Sequence, residues 1–254
     1  MNYVLMIHAA ESRFATLAPD QVEAVMQAYG KYTKDLFATG RAGDCAALEA
    51  TNTATHVQVR DGKRIVKDGP FAETREQLGG YYAFAAKDEA EAIEWAAKIP
   101  DAEGGTIEVR PVPEYGGAPK EGMGSRATPP EAKGRKEYLL LIYEAEARWA
   151  KLSEAEMGKI FAAYGAFSAS LKAAGQFIAG DQLDTVRKAK SVGLTGGKRV
   201  VKDGPFAETR EQLGGYYRVF AKDLDEAISM AVRIPAAETG TIEIRPVMDT
   251  SAYD

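Results

Sequence analysis

Residues 66–82 of this 254-residue chain read VKDGPFAETREQLGGYY, and residues 201–217 read the same, letter for letter, 135 positions later. Seventeen identical residues in a row do not recur by chance, and a repeat decides architecture before any local pattern does. The chain is therefore two copies of one unit of about 110 residues. Agreement between the copies is uneven. Residues 3–40 match residues 138–175 at 14 of 38 positions, against 17 of 17 in the central stretch. A uniform rate of exchange does not give that pattern, whereas constraint on the stretch or gene conversion does.

Each copy carries the same order of elements. Tyr3–His8 is rich in β-formers and predicts a strand. Pro19 suits a helix start. Val22, Val25, Met26, Tyr29, Thr33, Leu36 and Phe37 then follow at helical spacing, with Gly40 as terminator. A short strand fits near Asp44–Glu49. Asp61-Gly62 between two β-rich runs is a hairpin signal, because a type I′ turn needs positive φ at both central residues. A short helical turn is expected at Thr74–Leu78 and a strand at Tyr81–Ala86. Asp88 with Glu91 opens a second helix, which Pro100 ends. Thr106–Val112 alternates as a half-buried strand, with Glu108 and Arg110 opposite Ile107 and Val109.

The second copy repeats the plan, with Ser153 and Glu156 as a capping box and Gly196-Gly197 at the hairpin. The order predicts an α+β fold, two tandem ferredoxin-like (βαββαβ) units, each with two helices on one face of a mostly antiparallel sheet. A sheet covered on one side leaves the other open, so the units are expected to pack sheet to sheet as an intrachain pseudo-dimer. Residues 1–113 form the first unit and 137–254 the second. Residues 114–136, rich in Gly, Pro and charge, form a linker.

Charge and composition narrow the partners. A net charge of −5 argues against a nucleic-acid surface, and no apolar run nears the ~20 residues that span a bilayer. A single cysteine, Cys45, leaves no internal disulfide, and a reducing cytoplasmic setting is expected. Two scattered histidines, His8 and His56, give no metal-ligand spacing, so no metal or cofactor is expected. A small-molecule ligand between the sheets is the expected partner, with further oligomerisation left open.

The candidate residues come mainly from the repeat. Asp68, Glu73, Arg75, Tyr81 and Tyr82, with Asp203, Glu208, Arg210, Tyr216 and Tyr217, would present carboxylates, a guanidinium and phenols to a ligand, Asp68 and Asp203 for proton transfer. The same stretch also reads as structure: Asp-Gly-Pro makes a turn and Phe71 plugs a core. His8 ends a first strand, where its counterpart is Tyr143. Arg110 and Arg245 alternate away from the helix-covered face and would line the inter-sheet cavity. Asp44 and Asp181 follow glycines after the first helix of each copy, in registers two residues apart.

VKDGPFAETREQLGGYY, the DLDEAI helix start and TIE[VI]RPV together resemble the DGPF (DGPFAETKE) branch of the YCII-related family. The resemblance covers both copies and implies a dimeric α/β barrel of ferredoxin-like units. It also implies a His–Asp pair in a cleft. The Asp would correspond to Asp44 and Asp181, while the His would fall near Tyr32 and Phe167, neither of which is histidine. A link of the branch to extracytoplasmic-function sigma factors implies an alternative, a non-catalytic regulatory or protein-interaction module.

Overall fold

A computed structural model describes residues 1–71, 74–113, 134–207 and 209–250. The first copy contributes β1 (Asn2–Ala9), α1 (Glu11–Ala15), α2 (Pro19–Ala38), β2 (Ala42–Ala47), β3 (Thr55–Arg60), β4 (Lys63–Asp68), β5 (Gln77–Ala85), α3 (Glu89–Ala96) and β6 (Thr106–Val112). The second contributes β7 (Lys136–Glu144), α4 (Glu154–Ala173), β8 (Phe177–Gln182), β9 (Lys190–Thr195), β10 (Lys198–Asp203), β11 (Gln212–Ala221), α5 (Leu224–Ala231) and β12 (Thr241–Pro246).

Local chemistry accounts for most of these boundaries. Ser153 and Glu156 cap α4 reciprocally, with bonds of 3.3 and 2.8 Å between each side chain and the other's amide. Asp88 and Asp223 accept from the amides of Glu91 and Glu226 at 2.9 and 3.0 Å. Asp61 and Gly62 take φ of 51° and 70°, and Gly196 and Gly197 take 56° and 73°, so both hairpins turn as their sequences predict. One expectation fails. No helical turn forms at residues 74–78, and β5 already begins at Gln77. The Gly79-Gly80 pair continues the strand across a bulge opposite Ile7/His8. A Cβ on Gly80 would lie 2.6 Å from the Ala46 carbonyl oxygen, so this glycine permits a close strand crossing rather than ending an element.

Two six-stranded antiparallel sheets result, in the orders β10-β9-β6-β1-β5-β2 and β4-β3-β12-β7-β11-β8. Four consecutive strands of each, β6-β1-β5-β2 and β12-β7-β11-β8, are the ferredoxin-like arrangement of one copy. The two at the opposite edge come from the other copy. The β3–β4 hairpin of the first copy pairs through β3 with β12, and β9–β10 of the second pairs with β6. The copies have exchanged hairpins, so each sheet and each helix-covered core contains both. Val57 is buried in the core under α4 and α5, and Val192 in the core under α2 and α3.

A third apolar layer fills the space between the sheets, with Val4, Met6, Leu78, Tyr81, Leu139, Leu141 and Tyr216 among its members. This explains the unbroken apolar runs of β1 and β7, since both their faces are buried. A bridge between Leu48 and Val247 joins the end of β2 to the end of β12 and links the two sheets. Among the described residues no helix is long and apolar enough to cross a membrane.

Candidate functional site

The duplicated stretch acts across the exchange. After β4 the chain delivers Phe71 to the second copy's sheet. There its amide donates to Glu243 at 2.7 Å and its ring lies 5.1 Å from Tyr143. Phe206 makes the reciprocal contacts: its amide donates to Glu108 at 2.8 Å and its ring stacks on His8 at 4.4 Å. Each receiving glutamate is held by an arginine two residues on. Arg110 donates to Glu108 at 3.0 Å, and Arg245 to Glu243 at 3.4 Å; both arginines are 1% exposed. A buried guanidinium must be paired and hydrogen-bonded to be tolerated. Arg110 reaches the Asp184 carbonyl through two nitrogens, and Arg245 reaches the Glu49 carbonyl through one.

These residues surround a central, partly open cavity of about 90 Å3 between the sheets, lined by Pro70, Phe71, Thr74, Glu76, Gln77 and Leu78 with their twins, and by His8, Tyr143, Glu108, Arg110, Glu243 and Arg245. Burial lowers the pKa of His8, against the opposing pull of Glu108, and favours the neutral imidazole. Burial likewise raises the phenol pKa of Tyr143 far above its ordinary value.

A second polar group occurs in one version only. Asp44 accepts a short hydrogen bond from the Tyr81 hydroxyl and one of 2.5 Å from Arg218. Arg218 also donates to the Cys45 carbonyl at 2.8 Å and to Glu137. The Tyr81 ring lies 4.8 Å from that of Tyr216, whose hydroxyl donates to Asp181 at 3.2 Å. Register shows why the group is not duplicated. Asp181 stands opposite Tyr216, where Ala46 stands opposite Tyr81; Arg218 stands opposite Ala179. Asp44 and Asp181 thus occupy non-equivalent places two residues apart. In a strand such positions share a face, which is how both come to the inter-sheet side. Burial raises the pKa of Asp44, with Arg218 and Tyr81 opposing.

Both aspartates line a cleft of about 820 Å3 that opens along β8, with α4 and residues 146–151 as the other wall. Its sides are aromatic: Trp149 stacks on Phe161 at 5.9 Å, and Tyr164, Phe177 and Tyr217 follow. Ser168 hydrogen-bonds Tyr217 at 3.0 Å, and the Lys172 ammonium lies 5.0 Å over the Phe177 ring. The volume falls within the roughly 300–1,000 Å3 usual for small-molecule sites, and the lining has the usual apolar walls with few polar groups.

The residues singled out from sequence therefore divide. His8, Arg110 and Arg245 line the central cavity; Asp44, Asp181, Tyr216 and Tyr217 line the cleft, with Tyr81 beneath. Tyr82 points to the helix side, its hydroxyl 2.7 Å from Thr33. Asp68 and Asp203 are exposed at the ends of β4 and β10 and line neither space, and Asp203 is bonded to Lys190 at 2.7 Å. Arg75 and Arg210 are also exposed. Glu73 and Glu208 lie outside the described residues. The candidates read from sequence do not include Arg218, Glu137 or, in the aromatic wall, Trp149, Phe161, Tyr164 and Phe177. Arg218 carried a signal: it replaces the first copy's Ala83 immediately after the identical stretch and puts a charge inside an apolar strand.

The model of the YCII-related domain matches residues 1–115 and again residues 137–251. An uncharacterized protein of Rhizobium meliloti is 32% identical over 117 residues, which make up 45% of this chain and 94% of that relative. Among solved structures, a chain provisionally named a chlorite dismutase aligns with a TM-score of 0.48 at 8% identity, covering 99% of this chain and 96% of its own. A heme-binding protein from Thermus thermophilus aligns at 0.45 and 8%, covering 98% and 91%. Neither structural likeness bears on what this chain binds.

Proposed function

Because the chain belongs to the YCII-related family, we propose that it is a small-molecule-binding protein whose principal site is the cleft along β8. We place it in the DGPF branch on Asp68-Gly69-Pro70-Phe71 and the twin Asp203-Gly204-Pro205-Phe206. The observation that carries the reading is the convergence, in one cleft of about 820 Å3, of an aromatic wall and two carboxyl groups from different copies.

Those carboxyls sit in unlike surroundings. Asp44 is held by Tyr81 and Arg218, with its pKa raised by burial, while Asp181 meets Tyr216. Two carboxyls in different environments can divide acid and base roles, so the cleft supports cofactor-independent proton transfer on a bound organic molecule. Asp68 and Asp203 have no part in this proposal; they serve the hairpin ends.

Trp149 provides the test. In a Trp95→Phe background its fluorescence reports the cleft alone, because the chain has two tryptophans. A panel of aromatic and aliphatic fragments should include members that change its emission saturably, and Phe161→Ala should weaken them about tenfold. A panel with no saturable response would overturn the reading. Turnover that survives Asp44→Asn and Asp181→Asn together would remove the acid–base part and leave the binding part.

A further inference from the structure

The central cavity is the second candidate for a ligand, and a different observation bears on it. Three buried polar atoms lack a hydrogen-bond partner among the described residues and belong to side chains lining this one space: His8 Nε2, Glu76 Oε2 and Arg245 Nε. Buried polar groups are nearly always paired, so each such atom calls for an explanation. The duplication provides an internal control. The Nε of Arg110, twin to Arg245, donates to the Asp184 carbonyl at 3.0 Å. The Oε2 of Glu211, twin to Glu76, accepts from Thr241 at 3.1 Å. The fold can satisfy each of these two positions in one copy, and leaves its twin unpaired in the other.

We propose that the central cavity is a site for a very small, uncharged molecule of the primary-amide class. Its size follows from volume. An apolar cavity of about 150 Å3 takes benzene with six heavy atoms, so about 90 Å3 admits three or four. Its chemistry follows from the unpaired atoms. Arg245 Nε can only donate and requires an acceptor; a Glu76 carboxylate oxygen requires a donor; a neutral imidazole nitrogen takes either partner according to its tautomer. A carboxylate ligand would meet Arg245 but oppose Glu76, Glu108 and Glu243. An ammonium would meet the glutamates but oppose Arg245 and Arg110. An amide offers an acceptor oxygen and donor hydrogens on adjacent atoms without adding charge. The site adjoins the cleft through Gln212 but rests on different polar groups, and the proposal stands whether or not the cleft binds anything.

His8 and His56 are the only histidines, which makes histidine-labelled full-length protein a direct reporter by NMR. Titration with acetamide should shift the His8 ring resonances saturably and leave those of His56 in place. Acetate and methylammonium should bind at least tenfold more weakly. Arg245→Lys should weaken acetamide at least tenfold, whereas Asp181→Asn in the cleft should leave it unchanged. The wild-type titrations decide the matter even if Arg245→Lys does not fold. No saturable His8 shift with acetamide would mean ordered water only and would overturn the proposal. Equal or tighter binding of either ion would overturn it as well.

Discussion

The two copies of VKDGPFAETREQLGGYY and the two strands β2 and β8 make opposite cases. The first pair is identical in sequence and makes reciprocal contacts: each Phe amide on the other copy's glutamate, each Phe ring against the other copy's His8 or Tyr143. The second pair has kept its place in the sheet and lost its likeness, with Asp44 against Ala179 and Ala46 against Asp181. Identity is held where each copy must fit the other; it is released where a single cleft is lined. The duplicated stretch is thus foremost an interface between copies, and the divergent strands beside it carry the one-sided polar group.

That contrast can be attacked from its strongest point. Arg110→Ala leaves Glu108 buried without its guanidinium, and breaking a buried pair of this kind typically removes about 3–5 kcal/mol. Arg245→Ala should remove less, because Arg245 makes one bond to the backbone where Arg110 makes two, and its bond to Glu243 is the longer, 3.4 against 3.0 Å. Urea unfolding of both variants checks the order; equal losses would mean that the two seats are as alike in energy as in sequence.

Arg218→Ala comes next, at about 2–3 kcal/mol, since Asp44 and Glu137 lose their shared partner at a partly buried site. The reverse exchange, Ala83→Arg, would bury a second guanidinium in the apolar inter-sheet layer, where Arg218 already pairs Asp44, and should not stabilise. A gain from Ala83→Arg would show that the network is less one-sided than its register implies.

Gly215→Ala should cost about 1–3 kcal/mol, because a Cβ there would stand 2.8 Å from the Asp181 carbonyl oxygen and the backbone must shift. It should also disturb the cleft, which Gly80→Ala in the other copy should not, so Trp149 emission separates the two.

The smallest effect is a pH effect. Arg41 holds the Glu91 carboxyl at a pKa of about 2, below its ordinary 4.5. The twin Glu226 has Gln176 as its partner, at 2.9 Å. A depressed carboxylate stabilises the fold above its unfolded pKa, and that contribution is lost as pH falls from about 4.5 towards about 2. Both partners are partly exposed, so less than about 1 kcal/mol is expected. Glu91→Gln should flatten acid unfolding over that window.

What the sequence made legible was local or repeated. The helices, both hairpin turns and the inward alternation of Glu108 and Arg110 follow from periodicity, φ requirements and capping within a few residues. Hairpin exchange does not. Asp61-Gly62 specifies a turn, but nothing within Thr55–Asp68 says which of two near-identical strands, β6 or β12, its edge should meet. The cleft was half legible: Asp44 and Asp181 drew notice, while Arg218 acquires meaning only when a strand from the other copy faces it. Asp68 and Asp203 were attractive because the motif carries them, yet motif membership fixes a residue's backbone, not the direction of its carboxylate.

Hairpin exchange also sets a timetable for synthesis. The first hairpin leaves the ribosome some 180 residues before β12, the strand it pairs with. At about 5–20 residues per second it must wait about 10–40 s with its edge unclaimed. The second hairpin emerges to find β6 already made. Identical motifs therefore face unequal risks: the first is open to capture by a neighbouring nascent chain, and the second is shielded by its own.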